Sequence, residues 1–484
     1  MFENYDSLRA ARRVVRDCYA GADAVKYGPR SKEYLPPSNG EAKQEAKATP
    51  DNERTKYRTR RDYGVYENFF RSTINDIVGV MQKNEPELAL SEDGDAEKAP
   101  PELTYLTQYG NAQNDGFKGL KQRLNFGQTL YGRYGLLLDV VADAYGTNAQ
   151  FCVSEYDADA ILDGDVDRSK FGVPRLRWAL LDESRRVFNP GTKAWEFATI
   201  YRVLGLDAQG TYYQAVLDGD AAQRWGSFDL DAPERSGVAV VYPTLKGRTL
   251  DFIPFTVCNV DRLGIDSWQA PPFIDVARVA IANYQLDSLY KLAIWNFASP
   301  TLIVKNVGTQ EPVRLGEQLV LSDEASDASL LETSGVGIES IRKAKEEIKS
   351  SLKFTSIRDL LDGSGANASA KALSLRADSG TANVAQIDAT GGRALEEVLI
   401  NAAVWLGATV EEACARIAYR PNTSYLADDF QIAQVVQLLG ANAADGSPFL
   451  SRRNLFKLVD AATGNLLGEY EDNEAEKIDQ RETL

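Results

Sequence analysis

Acid–base and nucleophilic chemistry near neutral pH leans first on histidine, and this 484-residue sequence contains none. The commonest general base and the commonest transition-metal ligand are removed together. Zinc peptidases of the HExxH kind, Ser-His-Asp hydrolases and two-His facial-triad enzymes are thereby excluded. Four cysteines, Cys18, Cys152, Cys258 and Cys414, stand far apart with no CxxC pair. That spacing predicts free buried thiols in a reducing compartment, not a metal ribbon or a disulfide framework. The phosphate-cradling GxxxxGK[ST] spacing is absent, as is a GxGxxG turn that opens a helix after a strand, so the ATPase and dinucleotide signatures are missing. Asp157-Ala-Asp159 and Asp163-Gly-Asp-Val-Asp167 have the density of a calcium loop, but Arg168 sits where that loop needs glycine and Pro174 where it needs its last carboxylate. Ordinary acidic turns and no metal are expected there. The 70 Asp and Glu residues leave one chemistry open, a two-carboxylate hydrolysis, but spacing nominates no particular pair.

The formal charge of −16 argues against a protein that coats nucleic acid, whose lysines and arginines would have to replace counterions along phosphate. At 44% hydrophobic the chain has enough apolar matter for one large core or two to three smaller ones. No N-terminal stretch joins a basic start to an apolar run and a small-residue cleavage site. The most apolar segment, Leu136 to Val141, falls far short of a bilayer span. Neither secretion nor membrane insertion is expected, and no cofactor.

Periodicity places the elements. A helix is predicted from Glu3 to about Ala20, with Arg9, Arg12, Arg13 and Arg16 on one face that is either solvated or a partner surface. Residues 28–60 lack apolar periodicity and read as an irregular connection with a basic run of Arg54, Lys56, Arg58, Arg60 and Arg61. Helices follow at Tyr66 to Met81 and Gly116 to Tyr131, and Leu136 to Val140 reads as a buried strand. From there to about Val257, short alternating segments such as Thr199 to Leu206 and Thr211 to Leu217 predict a mainly antiparallel β region. The first half is therefore α+β.

The second half changes character at Pro271-Pro272. Phe273, Val276, Ala277, Ala280, Ile281 and Tyr284 begin a helix of about 25 residues, roughly 37 Å at 1.5 Å per residue, which Pro300 ends. Strand-like pieces at Thr301 to Val304 and Gln318 to Leu321 come next. A second long helix spans Glu339 to about Leu361, with Ile341, Ala344, Ile348 and Leu352 on its apolar stripe and Arg342, Lys343, Lys345, Glu346, Glu347 and Lys349 opposite. The segment Asp362 to Ala370 is small, glycine-punctuated and nearly uncharged. Further helices are expected at Leu395 to Ile417, Asp428 to Leu439 and Ser451 to Ala462, before an acidic tail from Gly468 to Leu484. Two long helices flanking a short insert either form a stalk or make an ordinary helical hairpin in a soluble domain.

Several pieces, in this order, resemble the portal proteins of tailed bacteriophages, in particular a branch known chiefly as a portal-like domain of unknown function. They are Tyr66-Glu-Asn-Phe-Phe with Ile77-Val-Gly-Val-Met-Gln-Lys-Asn-Glu-Pro86, Leu130-Tyr-Gly-Arg-Tyr-Gly-Leu-Leu-Leu-Asp139, Ile253-Pro-Phe255, Ala270-Pro-Pro-Phe-Ile-Asp-Val-Ala277, Asn283-Tyr-Gln-Leu-Asp-Ser288 and Ala298-Ser-Pro-Thr-Leu302. The sequence departs from that branch at Asn283-Tyr284, where an Asn-His-Tyr-like group is usual. The resemblance implies an α+β portal-protein fold with an α/β wing over 1–272, two long antiparallel stem helices at 273–298 and 338–361, and a small αβ clip at 299–337. It further implies a tunnel loop with its following helix at 362–390 and a helical C-terminal wing and crown with the acidic tail over 391–484.

The implied role is a structural, non-enzymatic ring of about twelve copies at one capsid vertex, a channel for double-stranded DNA during packaging and ejection. The implied partners are DNA, terminase, a head-tail adaptor and the major capsid protein, with no membrane. The implied place is the virion, and the host cytoplasm during assembly. Gly363, Ser364, Gly365, Asn367, Ser369, Lys371 and Arg376 are the implied channel residues; Lys305, Arg314 and Glu317 the clip contacts; Lys343, Lys345, Lys349 and Lys353 the stem candidates, facing lumen, capsid or neighbours. Lys371 and Arg376 either touch phosphate weakly or pair with acidic neighbours. An acidic subunit with a short polar loop suits sliding, because each neutralised phosphate adds affinity that would stall DNA. The competing readings are a carboxylate-dependent hydrolase and another virion adaptor protein.

Overall fold

The computed structural model describes residues 5–48, 55–83, 85–91, 99–142, 149–168, 175–298, 301–305, 327–331, 336–353 and 370–421. The expected strand at Gln318 to Leu321, the helices at 428–439 and 451–462 and the acidic tail lie outside these residues.

The N-terminal helix runs Tyr5–Ala20. The stretch 28–60, expected to be irregular, is instead largely helical, with Ser31–Tyr34, Asn39–Lys47 and Lys56–Tyr63. Its order comes from caps, charge pairs and a few isolated buried side chains, Tyr34, Leu35 and Tyr57, and not from a continuous apolar stripe. Ser38 and Glu41 form a reciprocal capping box, and Thr55 caps the last of the three. Two of the basic-run arginines turn inward: Arg60 makes a forked pair with Glu41 at 2.9 and 2.8 Å, and Arg58 meets Glu45 at 3.0 Å. The helices Phe69–Met81 and Gly116–Tyr131 stand where periodicity puts them, with Phe70, Ile74, Ile77, Val78 and Met81 buried.

The β region is antiparallel, as expected. A three-stranded sheet holds β2 (Arg133–Ala142) between β3 (Ala149–Asp157) and β11 (Phe255–Asn259). Leu136, Leu137 and Leu138 at its centre are fully buried. A five-stranded sheet in the order β10-β9-β8-β5-β4 comprises Val240–Val241, Tyr212–Leu217, Tyr201–Leu206, Arg175–Asp182 and Ile161–Asp167. Three two-stranded ribbons complete the set: β1 (Glu87–Ala89) with β14 (Ala418–Arg420), β6 (Arg185–Asn189) with β7 (Ala194–Ala198), and β12 (Thr301–Lys305) with β13 (Asp327–Leu331).

The largest correction concerns the third long helix. A helix from Leu395 to Ile417 is expected; instead one helix runs Ala370–Leu406, and a short one, Val410–Arg416, follows. Inside the longer helix Gly391 and Gly392 allow close approach. A Cβ on Gly391 would lie 2.8 Å from Asn125 Oδ1 and 2.9 Å from Gln128 Oε1, and one on Gly392 would lie 2.4 Å from a Pro421 ring carbon. Through that contact the helix enters the main core, burying Leu395, Val398, Leu399, Ala402 and Trp405 against the three-stranded sheet. The helix stops at Gly407, whose φ of 109° only glycine adopts readily.

Of the cysteines expected to be buried, Cys18 and Cys258 are, Cys152 is half-buried and Cys414 is exposed; all four are free. Among the described residues no helix is long and apolar enough to cross a membrane.

Two helical glycines separate the cost of close approach from ordinary helix propensity. Gly79 is exposed and a Cβ there meets nothing within 4 Å, so Gly79→Ala should stabilise the protein by about 0.4–1 kcal/mol. Gly391→Ala should destabilise it by roughly 1–3 kcal/mol. Urea unfolding midpoints of the two variants check both signs.

Candidate functional site: the paired long helices

The first long helix, Ile274–Ala298, follows Pro271-Pro272 and leads into β12; β13 leads into the second, Val336–Lys353. Because Thr301 pairs with Leu331 at the open end of the ribbon, the helices leave it side by side and run antiparallel. Their closest polar contact agrees: Asp287 lies fourteen positions before Thr301, Lys345 fourteen after Leu331, and the two form an ion pair. Residues 354–361, the expected end of the second helix, lie outside the described residues.

Asp287 does more than join two helices. Its other carboxylate oxygen accepts the Val65 backbone N–H at 2.7 Å, so three segments far apart in sequence meet on one buried side chain. The surrounding residues are those of the Asn283–Ser288 motif. Tyr284 donates its hydroxyl to the Arg61 carbonyl at 3.2 Å and sets its ring edge-on to Tyr66 at 6.3 Å. Gln285 donates to the Tyr34 carbonyl at 2.7 Å. Gly64 fits over Tyr284 and Ser288, where a Cβ would come within 2.9 and 2.8 Å. The inner half of the first long helix is thus clasped by the N-terminal helices.

The outer half differs. Leu289, Ile294 and Trp295 are 44%, 39% and 54% exposed, and Trp295 touches only one described ring, that of Tyr63, at 5.5 Å. On the second helix, Ile341, Ala344 and Ile348 are half-buried along the expected stripe. Arg342 on the open side bridges Glu339 at 2.6 Å and Glu346 at 2.7 Å.

Of the sequence-nominated residues, Lys343 is exposed. Lys345, grouped with the outward charges, turns inward to Asp287 and over the Tyr290 ring at 5.2 Å, so it is committed within the chain. Lys349 and Lys353 lie in the last turns of the second helix. Lys305 ends β12, and Lys371 and Arg376 fall in the first two turns of the third long helix. Arg314, Glu317, Gly363, Ser364, Gly365, Asn367 and Ser369 lie outside the described residues. Sequence reasoning missed the role of Asp287, although it quoted the motif that contains it; an acid amid apolar helical positions was the available signal.

The arginine face of the first helix is also partly internal. Arg12, 1% exposed, and Arg16 both grip Asp159 at 2.7 Å. That carboxylate, one of the calcium-like acids, is therefore neutralised by cations of the chain, and Asp157 caps its own turn through the N–H groups of Asp159 and Ala160. Among the described residues no cluster of three metal-ligating side chains occurs.

One carboxyl group is shifted toward its neutral form. Glu397 lines a cavity of about 230 Å³ with Thr256, Arg262 and Asp266, and burial raises its pKa, against the lowering effect of Arg393. The other carboxylate of the cavity, Asp266, pairs with Arg168 at 2.5 Å.

Residues 272–406 match the family described as a domain of unknown function, DUF4055. That stretch contains all three long helices and the β12–β13 ribbon. No curated protein matches the chain. Among solved structures, the chain is similar to one titled the neck of a native GTA particle computed with C12 symmetry. The identity is 14%, 81% of this chain and 89% of the other are covered, and the TM-score is 0.37. A second is titled the neck of an empty GTA particle computed with C6 symmetry, at 15% identity, 81% and 90% coverage and a TM-score of 0.38.

Lys345→Met leaves Asp287 buried with one partner gone and should cost roughly 3–5 kcal/mol, whereas Lys345→Met combined with Asp287→Leu should recover much of that loss. Chemical denaturation of the single and double variants measures the difference. For Glu397, a folded-state pKa above the unfolded value means a cost absent at low pH and full once pH exceeds the raised value. Glu397→Gln should therefore raise the Tm at pH 8 and leave it nearly unchanged at pH 4, read by thermal scans at both.

Proposed function

We propose that this chain is the subunit of a bacteriophage portal, a structural ring at one capsid vertex through which double-stranded DNA is packaged and ejected. The observation that carries the proposal is the antiparallel helix pair. Its inner half is locked into the body by Asp287 and the Tyr284 contacts, while its outer half leaves Leu289, Ile294 and Trp295 in water. Apolar side chains grouped on one exposed helix segment mark a surface that another molecule covers. In a ring of such pairs the neighbouring copy supplies the cover, and the pairs line a channel.

The order helix, β ribbon, helix, glycine-punctuated segment and third helix supports this reading, as does its sequence resemblance to portal proteins. The β12–β13 end would be the clip that meets terminase during packaging and a head-tail adaptor afterwards. Residues 362–369 would be the loop that faces DNA, with Lys371 and Arg376 beside it, and the major capsid protein would surround the stems. A net charge of −16 suits a channel wall that must not hold phosphate. Twelve copies per ring, a place in the virion after assembly in the host cytoplasm, and a role without catalysis complete the proposal.

Mass photometry and negative-stain micrographs of the purified protein should show closed rings. A monomer or dimer across all salt and protein concentrations sinks the reading. In an in vitro packaging assay, Gly363→Pro with Gly365→Pro should leave rings intact but sharply lower DNA uptake, since proline fixes φ where the loop has to flex. Unchanged uptake would remove the DNA-facing role from this segment.

A further inference from the structure

The ribbon β6–β7 is a basic, aromatic arm in an acidic protein. It prolongs the central strands of the five-stranded sheet: β5 and β8 pair up to Asp182 and Tyr201, Glu183 N–H then donates to the Ile200 carbonyl at 2.8 Å, and β6 and β7 continue from Arg185 and Ala198. Directly paired residues of a ladder share a face, and faces alternate along each strand. The register Arg186↔Phe197 and Phe188↔Trp195 therefore gathers Arg186, Phe188, Trp195 and Phe197 on one face, and leaves Arg185, Val187 and Glu196 on the other. Phe188 and Trp195 pack edge to face at 5.6 Å, yet Phe188, Trp195 and Phe197 remain 46%, 65% and 70% exposed. Three large aromatic side chains on one face that no described residue covers form the kind of patch that marks an interface.

The same chain carries a complementary surface at the edge of the same sheet. Strand β10 covers β9 only at Gln214 and Ala215. Val216 and Val241 beside it are 39% and 59% exposed. The segment that follows β9 presents Asp218, Asp220, Asp229, Asp231 and Glu234, all exposed, against Arg224 and Arg235. The arm carries Arg185, Arg186 and Lys193 against Glu196. One surface is aromatic and positive, the other aliphatic and negative, with a strand edge open for pairing. Duplex DNA would answer the arginines but leave the aromatic face in water.

We propose that the β6–β7 arm docks its aromatic face on the acidic β9–β10 edge of a neighbouring copy of this chain. The two surfaces differ, so the contact is head-to-tail, the type that closes into rings or runs into open filaments. The proposal rests on the portal reading for closure, and adds to it which surfaces meet.

The test compares the full chain with three variants: Trp195→Ser/Phe197→Ser, Arg186→Glu/Lys193→Glu, and the last combined with Asp218→Lys/Asp231→Lys. Assembly is read by mass photometry over a concentration series, and folding by thermal scans. The first two variants are expected to keep the wild-type Tm and need at least tenfold more protein for half-assembly, and the charge exchange should bring that concentration back to within about threefold of wild type. Wild-type rings with unchanged assembly of all variants overturn the arm contact and leave the portal reading standing. Open wild-type filaments lost in the first two variants uphold the contact and sink the portal reading. A wild-type monomer overturns both. Loss of binding to duplex DNA or anionic vesicles, with assembly unchanged, also overturns it.

Discussion

A carboxylate buried halfway along a helix is the constraint on which the rest of the structure turns. Taking an ionised side chain out of water costs several kcal/mol unless partners surround it. Asp287 meets that cost with the Lys345 ammonium and the Val65 amide. The consequence is geometric: an apolar stripe alone would let two helices slide by a turn, whereas one buried charge and one ammonium match at a single offset. That offset equals the spacing set by the β12–β13 ribbon at the other end of the pair. Ribbon and ion pair therefore fix the same register twice, and the Val65 contact ties it to the N-terminal helices.

The same device recurs across the molecule. Lys121 and Asp388 pair at 3.2 Å between the Gly116–Tyr131 helix and the third long helix, where both are buried. Arg60 meets Glu41, and Arg12 meets Asp159, across long sequence separations. Arg133, stacked over Trp268 at 4.0 Å, is pushed down to about 9 by burial, with Arg12 adding to the effect. Each of these pairs removes one charge of either sign from the surface, so the net charge of −16 is left to the exposed residues. Two copies of such a surface repel each other, and a contact between them needs a local reversal of sign. The β6–β7 arm is such a place.

How much of this was legible depends on what holds each element. Helices with a continuous apolar stripe, such as Phe69–Met81 and Gly116–Tyr131, were readable nearly to their ends, because burial of one face produces the 3.6 period. The helices between Ser31 and Tyr63 were not, because side-chain pairs, caps and a few isolated buried side chains hold them and leave no period to count. The role of Gly391-Gly392 was hidden for a related reason: in sequence a glycine that breaks a helix and a glycine that lets two helices touch look alike, and only Asn125 and Gln128 across the gap tell them apart. Lys345 was grouped with its outward-facing neighbours since charge predicts exposure on average, and its partner lies 58 positions away. The aromatic residues of β6 and β7 resemble any buried strand until the fold shows that no described residue covers them.

The first long helix carries both extremes of this contrast. Its inner half spends polar groups on the body: Tyr284, Gln285 and Asp287 bond to Arg61, Tyr34 and Val65, while Ser288 donates to the Gln285 carbonyl of its own helix. Its outer half offers Leu289, Ile294 and Trp295 to water. For a chain that works alone the arrangement is unfavourable, because exposed apolar area of that kind lowers solubility without adding stability. For a chain that works as one of many it is economical. In the proposed ring the inner half would make every copy present its outer half at the same angle, and the outer half would gain its burial where neighbouring copies stand side by side. Anchoring to the body and an apolar surface open to a partner are in this way divided along a single helix, at Asp287.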